Sequence, residues 1–63
     1  MTLKQTKIAL KAIGMRVTRT EYDEYRVSFA NDAERSAYYS DDLMDAYQTG
    51  VRMARIARAW KEN

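Results

Sequence analysis

The residues best suited to bind a ligand are basic, and they recur at helical spacing. Lys4, Lys7 and Lys11 follow one another by three and four residues, which places them in one row on an α-helix. Arg52 and Arg55 repeat the three-residue spacing near the other end of the chain. Such rows contact phosphate groups through charge, with an affinity that falls as salt is added. The alternative is a solvated surface, because basic rows also occur on ordinary exposed helices.

A second polar set alternates with apolar residues along two predicted strands. Arg16 and Thr18 alternate in the first strand, and Arg26 and Ser28 do so in the second. Period-two geometry places all four on one face of a sheet, joined by Tyr38 if the third strand has the matching phase. A small three-stranded sheet can enter the major groove of DNA, where arginine recognises guanine. The alternative is an ordinary polar face turned to water.

Tyrosine is frequent for a chain of 63 residues, with five copies. We predict that Tyr25, Tyr39 and Tyr47 belong to the core, and that the other two are exposed. Exposed tyrosine is enriched at protein interfaces. Two further residues of the last predicted helix join them, because Ile56 lies outside the centre of its apolar face and Trp60 lies near its end. The predicted protein interface consists of Tyr22, Tyr38, Ile56 and Trp60.

Catalysis and cofactor binding have little support in the sequence. There is no histidine and no cysteine, so serine and threonine lack the usual base and a conventional zinc site lacks its ligands. The only two glycines, Gly14 and Gly50, do not form a phosphate-binding loop. Asp41 and Asp45 share a predicted helix face, but two carboxylates are a weak ligand set for a cation. We expect a non-enzyme with no metal, no cofactor and no small-molecule substrate.

Five elements must position these residues, and the first is a helix from about Leu3 to Ile13. Thr2 and Gln5 match the capping box, and Gly14 stands where a left-handed C-terminal cap is needed. Three strands are predicted next, bounded by turn and loop residues. They span Met15–Glu21, Tyr25–Ala30 and Ala37–Tyr39, with an acidic turn between the first two and a polar loop, Asn31–Arg35, before the third.

A second helix is predicted from an N-cap at Ser40 to about Lys61, with Asp41 and Asp42 in its first turn. Gly50 is unfavourable in mid-helix, which suggests a close neighbour at that position. The apolar face is too wide for one sheet to cover, so the first helix or a second protomer must cover the rest. It consists of Leu43, Ala46, Tyr47, Gly50, Met53, Ala54, Ala57 and Trp60.

The predicted fold is therefore α+β, in the order α-β-β-β-α, with two helices packed on one face of a three-stranded antiparallel sheet. Residues 1–63 form one compact domain, whose small size makes homodimerisation a route to further burial. No signal peptide or membrane-spanning segment is visible, and we expect a cytoplasmic protein without a membrane partner. The double-stranded-RNA-binding domain has the same order but carries lysines where this chain has Asp41, Asp42 and Asp45, so its function is not expected.

Charge is segregated along the chain into blocks of +5 (residues 1–19), −6 (residues 20–45) and +3 (residues 46–63). If the two ends pack side by side, the net charge of +2 conceals a strongly two-sided molecule. The stretch EYRVSF, followed by AYYSDDLMDAYQTG and MAR, resembles small uncharacterised proteins of bacteriophages, prophages and other bacterial mobile elements. The resemblance covers Glu24 to Arg55 and implies a compact accessory protein in a bacterial cytoplasm.

Two functional hypotheses follow from these observations. The first is an accessory binding module that contacts nucleic acid or a nucleoprotein through the basic helices or the arginine-bearing sheet face. The second is a protein-interaction module, either a homodimer or a modulator of a host protein, in which the acidic block could also mimic nucleic acid. Steep salt dependence of binding distinguishes the first from the second.

Overall fold

Five elements follow one another in the predicted order α-β-β-β-α. The computed structural model describes the backbone of residues 1–31 and 37–62, and the side chains of residues 1–31 and 37–59. Within that part of the chain, no helix is long and apolar enough to cross a membrane. The elements are α1 (Leu3–Lys11), β1 (Met15–Arg19), β2 (Tyr25–Phe29), β3 (Tyr38–Ser40) and α2 (Leu43–Glu62).

The capping box predicted at the start of α1 is confirmed. The Thr2 hydroxyl oxygen accepts from the Gln5 amide at 3.2 Å, and the Gln5 side-chain oxygen accepts from the Thr2 amide at 2.9 Å. The helix ends at Lys11, earlier than predicted, and Ile13 belongs to the turn that follows. Gly14 has a φ of +81°, the left-handed conformation predicted for it, and leads directly into β1.

The sheet has the order β1-β2-β3, and both strand pairs are antiparallel. Met15 pairs with Phe29 and Val17 with Val27, which confirms the predicted apolar face. Both strands of this hairpin are shorter than predicted, and the turn between them is closed by the Thr20 amide, which donates to the Glu24 carbonyl at 2.7 Å.

The third strand lies one residue later than predicted, and its phase corrects the tyrosine assignments. Tyr39 pairs with Arg26 and therefore lies on the open face of the sheet, where it is 51% exposed. The prediction that Tyr39 belongs to the core is wrong. Tyr38 pairs with Val27 on the helix-facing side, so it does not join the arginine-bearing face. Because Tyr38 and Tyr39 are the same residue type, the sequence shows no polar–apolar alternation at this point. The pairing with β2 determines which face of the sheet each side chain occupies.

The second helix begins at Leu43, and its N-cap is Asp42, not Ser40 as predicted. The Asp42 Oδ1 accepts from the Met44 amide at 3.0 Å, and the Asp42 carbonyl accepts from the Ala46 amide at 3.0 Å. The Ser40 hydroxyl lies outside the helix and accepts from the Asp42 amide at 3.1 Å. Ser40 thus holds the residue that caps α2.

Both helices pack on the same face of the sheet, as predicted. At Gly50 of α2, a Cβ atom would lie 2.9 Å from Leu10 Cδ2 of α1 and 3.1 Å from Val27 Cγ1 of β2. This close approach accounts for a glycine in mid-helix. The core consists of Leu10, Met15, Val17, Val27 and Ala46.

The connections make α1 and α2 run in the same direction. Each helix is joined to its neighbouring strand, β1 or β3, by a short turn, so each runs antiparallel to that strand. Strands β1 and β3 both pair antiparallel with β2 and are therefore parallel to each other. Because Tyr25 pairs with Ser40, both helices begin at the end of the sheet that carries the Thr20–Glu24 turn.

Candidate nucleic-acid interface

The three lysines of α1 form an exposed row. Lys4, Lys7 and Lys11 lie within a narrow sector of the helix surface, and all three are exposed. The buried residues Thr6 and Leu10 lie in a different sector of the helix, and Leu10 packs in the core beside Gly50 of α2. The capping box fixes the start of α1, and the buried face fixes its rotation. The row is therefore directed to solvent by the packing of the helix.

Two arginines form a second row on α2. Arg52 and Arg55 are exposed, one turn apart, on the side of the helix opposite Ala46 and Gly50. Together with Tyr47, Gln48 and Val51 they line a shallow, open depression on the outer surface of α2. Lys4, Lys7, Lys11, Arg52 and Arg55 are called the basic helical face below.

The two rows belong to neighbouring helices of the same layer. Leu10 of α1 meets Gly50 of α2, whereas Arg52 and Arg55 lie on the side of α2 opposite that contact. The chain has no acidic residue from Met1 to Arg19, and none between Asp45 and Arg58. The long-range potential of this layer is therefore positive along most of its length.

The sheet face carries a different arrangement, in which Arg26 is held by its neighbours. Its Nε donates to the Tyr39 hydroxyl at 3.2 Å, and its Nη1 donates to the Ser28 hydroxyl at 3.3 Å. Ser28 is fully buried although it lies on the nominally open face. Arg16, which pairs with Ser28, is exposed. The structure thus separates Arg16 and Arg26 from the basic helical face and gives Arg26 a role in holding strands β2 and β3.

Tyr38 forms a polar contact that ties β3 to α2. Its hydroxyl donates to Asp45 Oδ2 at 2.7 Å. This hydrogen bond is the main cause of a lowered pKa of Asp45, to which the Ser40 hydroxyl and the Arg52 charge contribute. The same hydrogen bond, followed by desolvation and by the Asp45 charge, raises the pKa of Tyr38. The hydroxyl of Tyr38, a residue predicted for the protein interface, is therefore hydrogen-bonded within the molecule.

Five acidic residues of the described part of the chain gather at the end of the molecule where both helices begin. The Thr20–Glu24 turn and the start of α2 lie at one end of the sheet, since Tyr25 pairs with Ser40. This acidic end consists of Glu21, Asp23, Glu24, Asp41 and Asp42. Arg19 donates to Asp23 Oδ1 at 2.9 Å, an exposed ion pair. In the described part of the chain, no group of three acidic side chains could hold a metal ion.

The residues predicted for a protein interface are not brought together. Tyr22 is 77% exposed at the acidic end, whereas Ile56 is 52% exposed on the outer part of α2. The Trp60 side chain lies outside the described residues. Sequence reasoning missed Ile8, which is 65% exposed among the lysines of α1. Ile8 lies four residues after Lys4, and residues four apart share a helix face, so the spacing alone places Ile8 beside the lysine row.

Comparisons of the chain with protein families, with curated proteins and with solved structures found no match. Functional assignment therefore depends on the geometry of its own residues.

Proposed function

We propose that this chain is a small non-enzymatic accessory binding module that contacts nucleic acid or a nucleoprotein through its basic helical face. The observation that carries the proposal is the placement of five exposed cations on two adjacent helices, with five of the carboxylates of the described residues at one end. Cations on a rigid surface bind phosphates by releasing counterions from the nucleic acid. The acidic end opposes binding in other orientations.

The helical layer is a better candidate than the sheet face, the other surface considered. A surface that binds phosphate needs cations that can leave water for the ligand without breaking existing contacts. Arg26 would have to give up its hydrogen bonds to Tyr39 and Ser28. All five side chains of the basic helical face are exposed, and of these Arg52 also acts through its charge on Asp45.

A phage or mobile-element setting is part of the proposal, and it is supported by the resemblance of Glu24–Arg55 alone. In that setting the protein acts in the bacterial cytoplasm, where nucleic acid is abundant. Binding without base-specific contacts is sufficient for an accessory role of this kind.

Fluorescence anisotropy with labelled oligonucleotides tests the proposal. We expect micromolar affinity at 50 mM salt. For three to five phosphate contacts, the affinity should fall roughly 40- to 500-fold between 50 and 200 mM salt. Absence of binding to any nucleic acid at 50 mM salt would refute the proposal.

A pair of matched variants assigns the surface. Lys7→Gln with Lys11→Gln removes two charges from α1, and we expect at least about tenfold weaker binding at 50 mM salt. Arg16→Gln with Arg19→Gln removes the same formal charge from β1, and it also removes the partner of Asp23. It should change the affinity less than threefold, because both arginines lie outside the basic helical face and salt screens their effect at a distance. Equal losses in both variants would show that only net charge matters, and the basic helical face would not be the binding surface.

The second hypothesis, a protein-interaction module, is favoured by one observation. Ile8 and Ile56 are 65% and 52% exposed, and each offers apolar surface that a partner could cover. A homodimer that covers Ile56 should give twice the mass of one chain in light scattering at high concentration. Ile56→Glu should then restore the monomer mass, and a monomer mass for the unaltered chain would exclude the dimer.

A further inference from the structure

We propose that the exposed face of α1 is a docking surface for a second copy of this chain, and that the Thr20–Glu24 turn of the second copy occupies it. The inference goes beyond the proposed function and is tested without nucleic acid, so the two can fail independently. It is carried by two patches of opposite charge. Each patch contains one of the two most exposed large hydrophobic side chains of the described residues.

The first patch lies on α1, where Ile8 is surrounded by lysines. Ile8 is 65% exposed. Lys4 lies four residues before it and Lys11 three residues after it, so both are its neighbours on the helix surface, and Lys7 adjoins it in the chain. An apolar centre with a charged rim is the usual arrangement of a protein interface.

The second patch is the Thr20–Glu24 turn, which presents Tyr22 between carboxylates. Tyr22 is 77% exposed, and its chain neighbours are Glu21 and Asp23. A tyrosine ring offers a large contact area at a low cost in conformational entropy, because it has only two rotatable side-chain bonds. The turn therefore also combines an apolar centre with a charged rim, but its charge is negative.

Hydrogen bonds hold this turn in one conformation. The Thr20 hydroxyl oxygen accepts from the Tyr22 amide at 3.2 Å and from the Glu24 amide at 3.3 Å. The Thr20 amide donates to the Glu24 carbonyl at 2.7 Å. Arg19 adds an exposed ion pair with Asp23 at 2.9 Å. A turn that is already ordered loses little conformational entropy when it docks.

The two patches are complementary in charge and do not meet within one chain. The turn carries three carboxylates, and the α1 face carries three lysines. Ile8 and Tyr22 are both exposed in a single copy, so the turn does not cover the α1 face of its own molecule. A second copy can place its Tyr22 ring on Ile8 with its carboxylates among the lysines. Because the contact joins two different surfaces, further copies can add unless two such contacts close a twofold dimer.

The association should be weak and sensitive to salt. A five-residue turn on one face of a nine-residue helix makes a small interface, of the transient class that buries less than about 1,200 Å² in total. Charge complementarity at such an interface mainly guides the encounter, and salt screens it. Self-association is therefore expected at high protein concentration and low salt.

Sedimentation equilibrium at about 1 mM protein tests the inference. At 50 mM salt we expect an average mass above that of one chain, which falls towards it at 500 mM salt. Ile8→Ser and Tyr22→Ser should each lower the association constant at least about fivefold. The matched control is Ile56→Ser, which removes an isoleucine that is 52% exposed on α2 and should leave the constant unchanged. A monomer mass for the unaltered chain at 50 mM salt, or a loss confined to Ile56→Ser, would overturn the inference.

Charge reversal tests whether the two patches contact each other. Lys7→Glu with Lys11→Glu reverses the α1 face, and Glu21→Lys with Glu24→Lys reverses the turn. Each variant alone brings like charges together and should remain monomeric. An equimolar mixture should associate again, because the reversed face of one variant meets the reversed turn of the other. If circular dichroism shows both variants folded and their mixture stays monomeric, the two patches do not pair and the inference is wrong.

Discussion

Gly50 lies where α1, α2 and β2 meet, and it is the residue that sets their separation. An added methyl group would come within 2.9 Å of Leu10 Cδ2 and 3.1 Å of Val27 Cγ1, both of which are fully buried. Alanine gains about 1 kcal/mol of helix propensity over glycine, but overpacking a core costs about 1–3 kcal/mol. We therefore expect Gly50→Ala to lower the free energy of unfolding by about 1 kcal/mol in urea titrations.

The control is Gln48→Ala, an exposed position of α2 where alanine should be neutral to within about 0.5 kcal/mol. In a Leu10→Ala background the clash with Leu10 is absent and only the 3.1 Å contact with Val27 remains, so Gly50→Ala should be less destabilising there than in the original chain. If the Gly50→Ala protein is as stable as the original or more stable, the Leu10 side chain can move away from the added methyl group without a loss of unfolding free energy.

Tyr38 and Asp45 form the contact whose strength should depend on pH. The lowered pKa of Asp45 means that this carboxylate stabilises the fold fully above its ordinary value of 3.8, and that the contribution is lost as pH falls through the lowered value. The pKa of Tyr38 is raised, so its contribution is present below 10.0 and is lost as pH rises through the raised value. The contact is therefore stabilising across the neutral range.

Removal of the Tyr38 hydroxyl tests this contact. In Tyr38→Phe, we expect the pKa of Asp45, measured by NMR titration of its carboxyl carbon, to rise towards the ordinary value, since its main hydrogen-bond donor is gone. Tyr39→Phe, which removes a hydroxyl on the opposite face, should leave that pKa unchanged. An unaltered Asp45 pKa in Tyr38→Phe would show that the hydrogen bond does not form in solution.

At the scale of elements, the start of α2 has a single capping residue. The side chain of Asp42 accepts from the Met44 amide, whereas the Ser40 hydroxyl contacts the backbone of Asp42 and helps to lower the pKa of Asp45. We expect Asp42→Ala to cost about 1 kcal/mol of unfolding free energy, and Asp42→Ser much less. Asp41→Ala is the matched control, with an expected change within about 0.5 kcal/mol. If Ser40→Ala lowers the free energy of unfolding more than Asp42→Ala does, the N-cap of α2 is Ser40 and not Asp42.

The elements differ in how far the sequence determines them. The capping box of α1 and the alternation in β1 and β2 are local patterns, and both appear in the structure as predicted. The cap of α2 could not be chosen locally, because Ser40, Asp41 and Asp42 are all good capping residues. The phase of β3 depends on its pairing with β2, which the adjacent tyrosines do not encode.

The candidate site shows the same division between local and tertiary information. The lysine row of α1 follows from spacing alone, and its exposure was therefore predictable. The engagement of Arg26 was not, because its partner Tyr39 is thirteen residues away and reaches it through the strand pairing. Sequence spacing identified cations, but only the tertiary structure distinguished an exposed cation from one used to hold the sheet.

At the scale of the whole molecule, topology turns the blocks of charge into two poles. Because α1 and α2 run in the same direction, both begin at the acidic end, and the basic helical face extends away from it. Carboxylates near helix N-termini are favourable there. The same carboxylates repel phosphates, so they should orient the molecule as it approaches a nucleic acid.

This orientation effect is testable through Glu21 and Asp41, which are exposed residues of the acidic end. Glu21→Gln with Asp41→Asn removes repulsion during the approach, so we expect association with a duplex to be roughly two- to threefold faster at 50 mM salt. Dissociation should be unchanged, because these side chains do not contact the ligand. The gain should shrink at 200 mM salt, where the Debye length is about 7 Å.

Stopped-flow anisotropy separates the two rates. The Lys7→Gln with Lys11→Gln variant provides the contrast, since loss of direct phosphate contacts should mainly accelerate dissociation. If neutralisation of the acidic end instead accelerates dissociation, its carboxylates lie within the bound interface. The ligand would then approach that pole, and the basic helical face could not be the surface that carries binding.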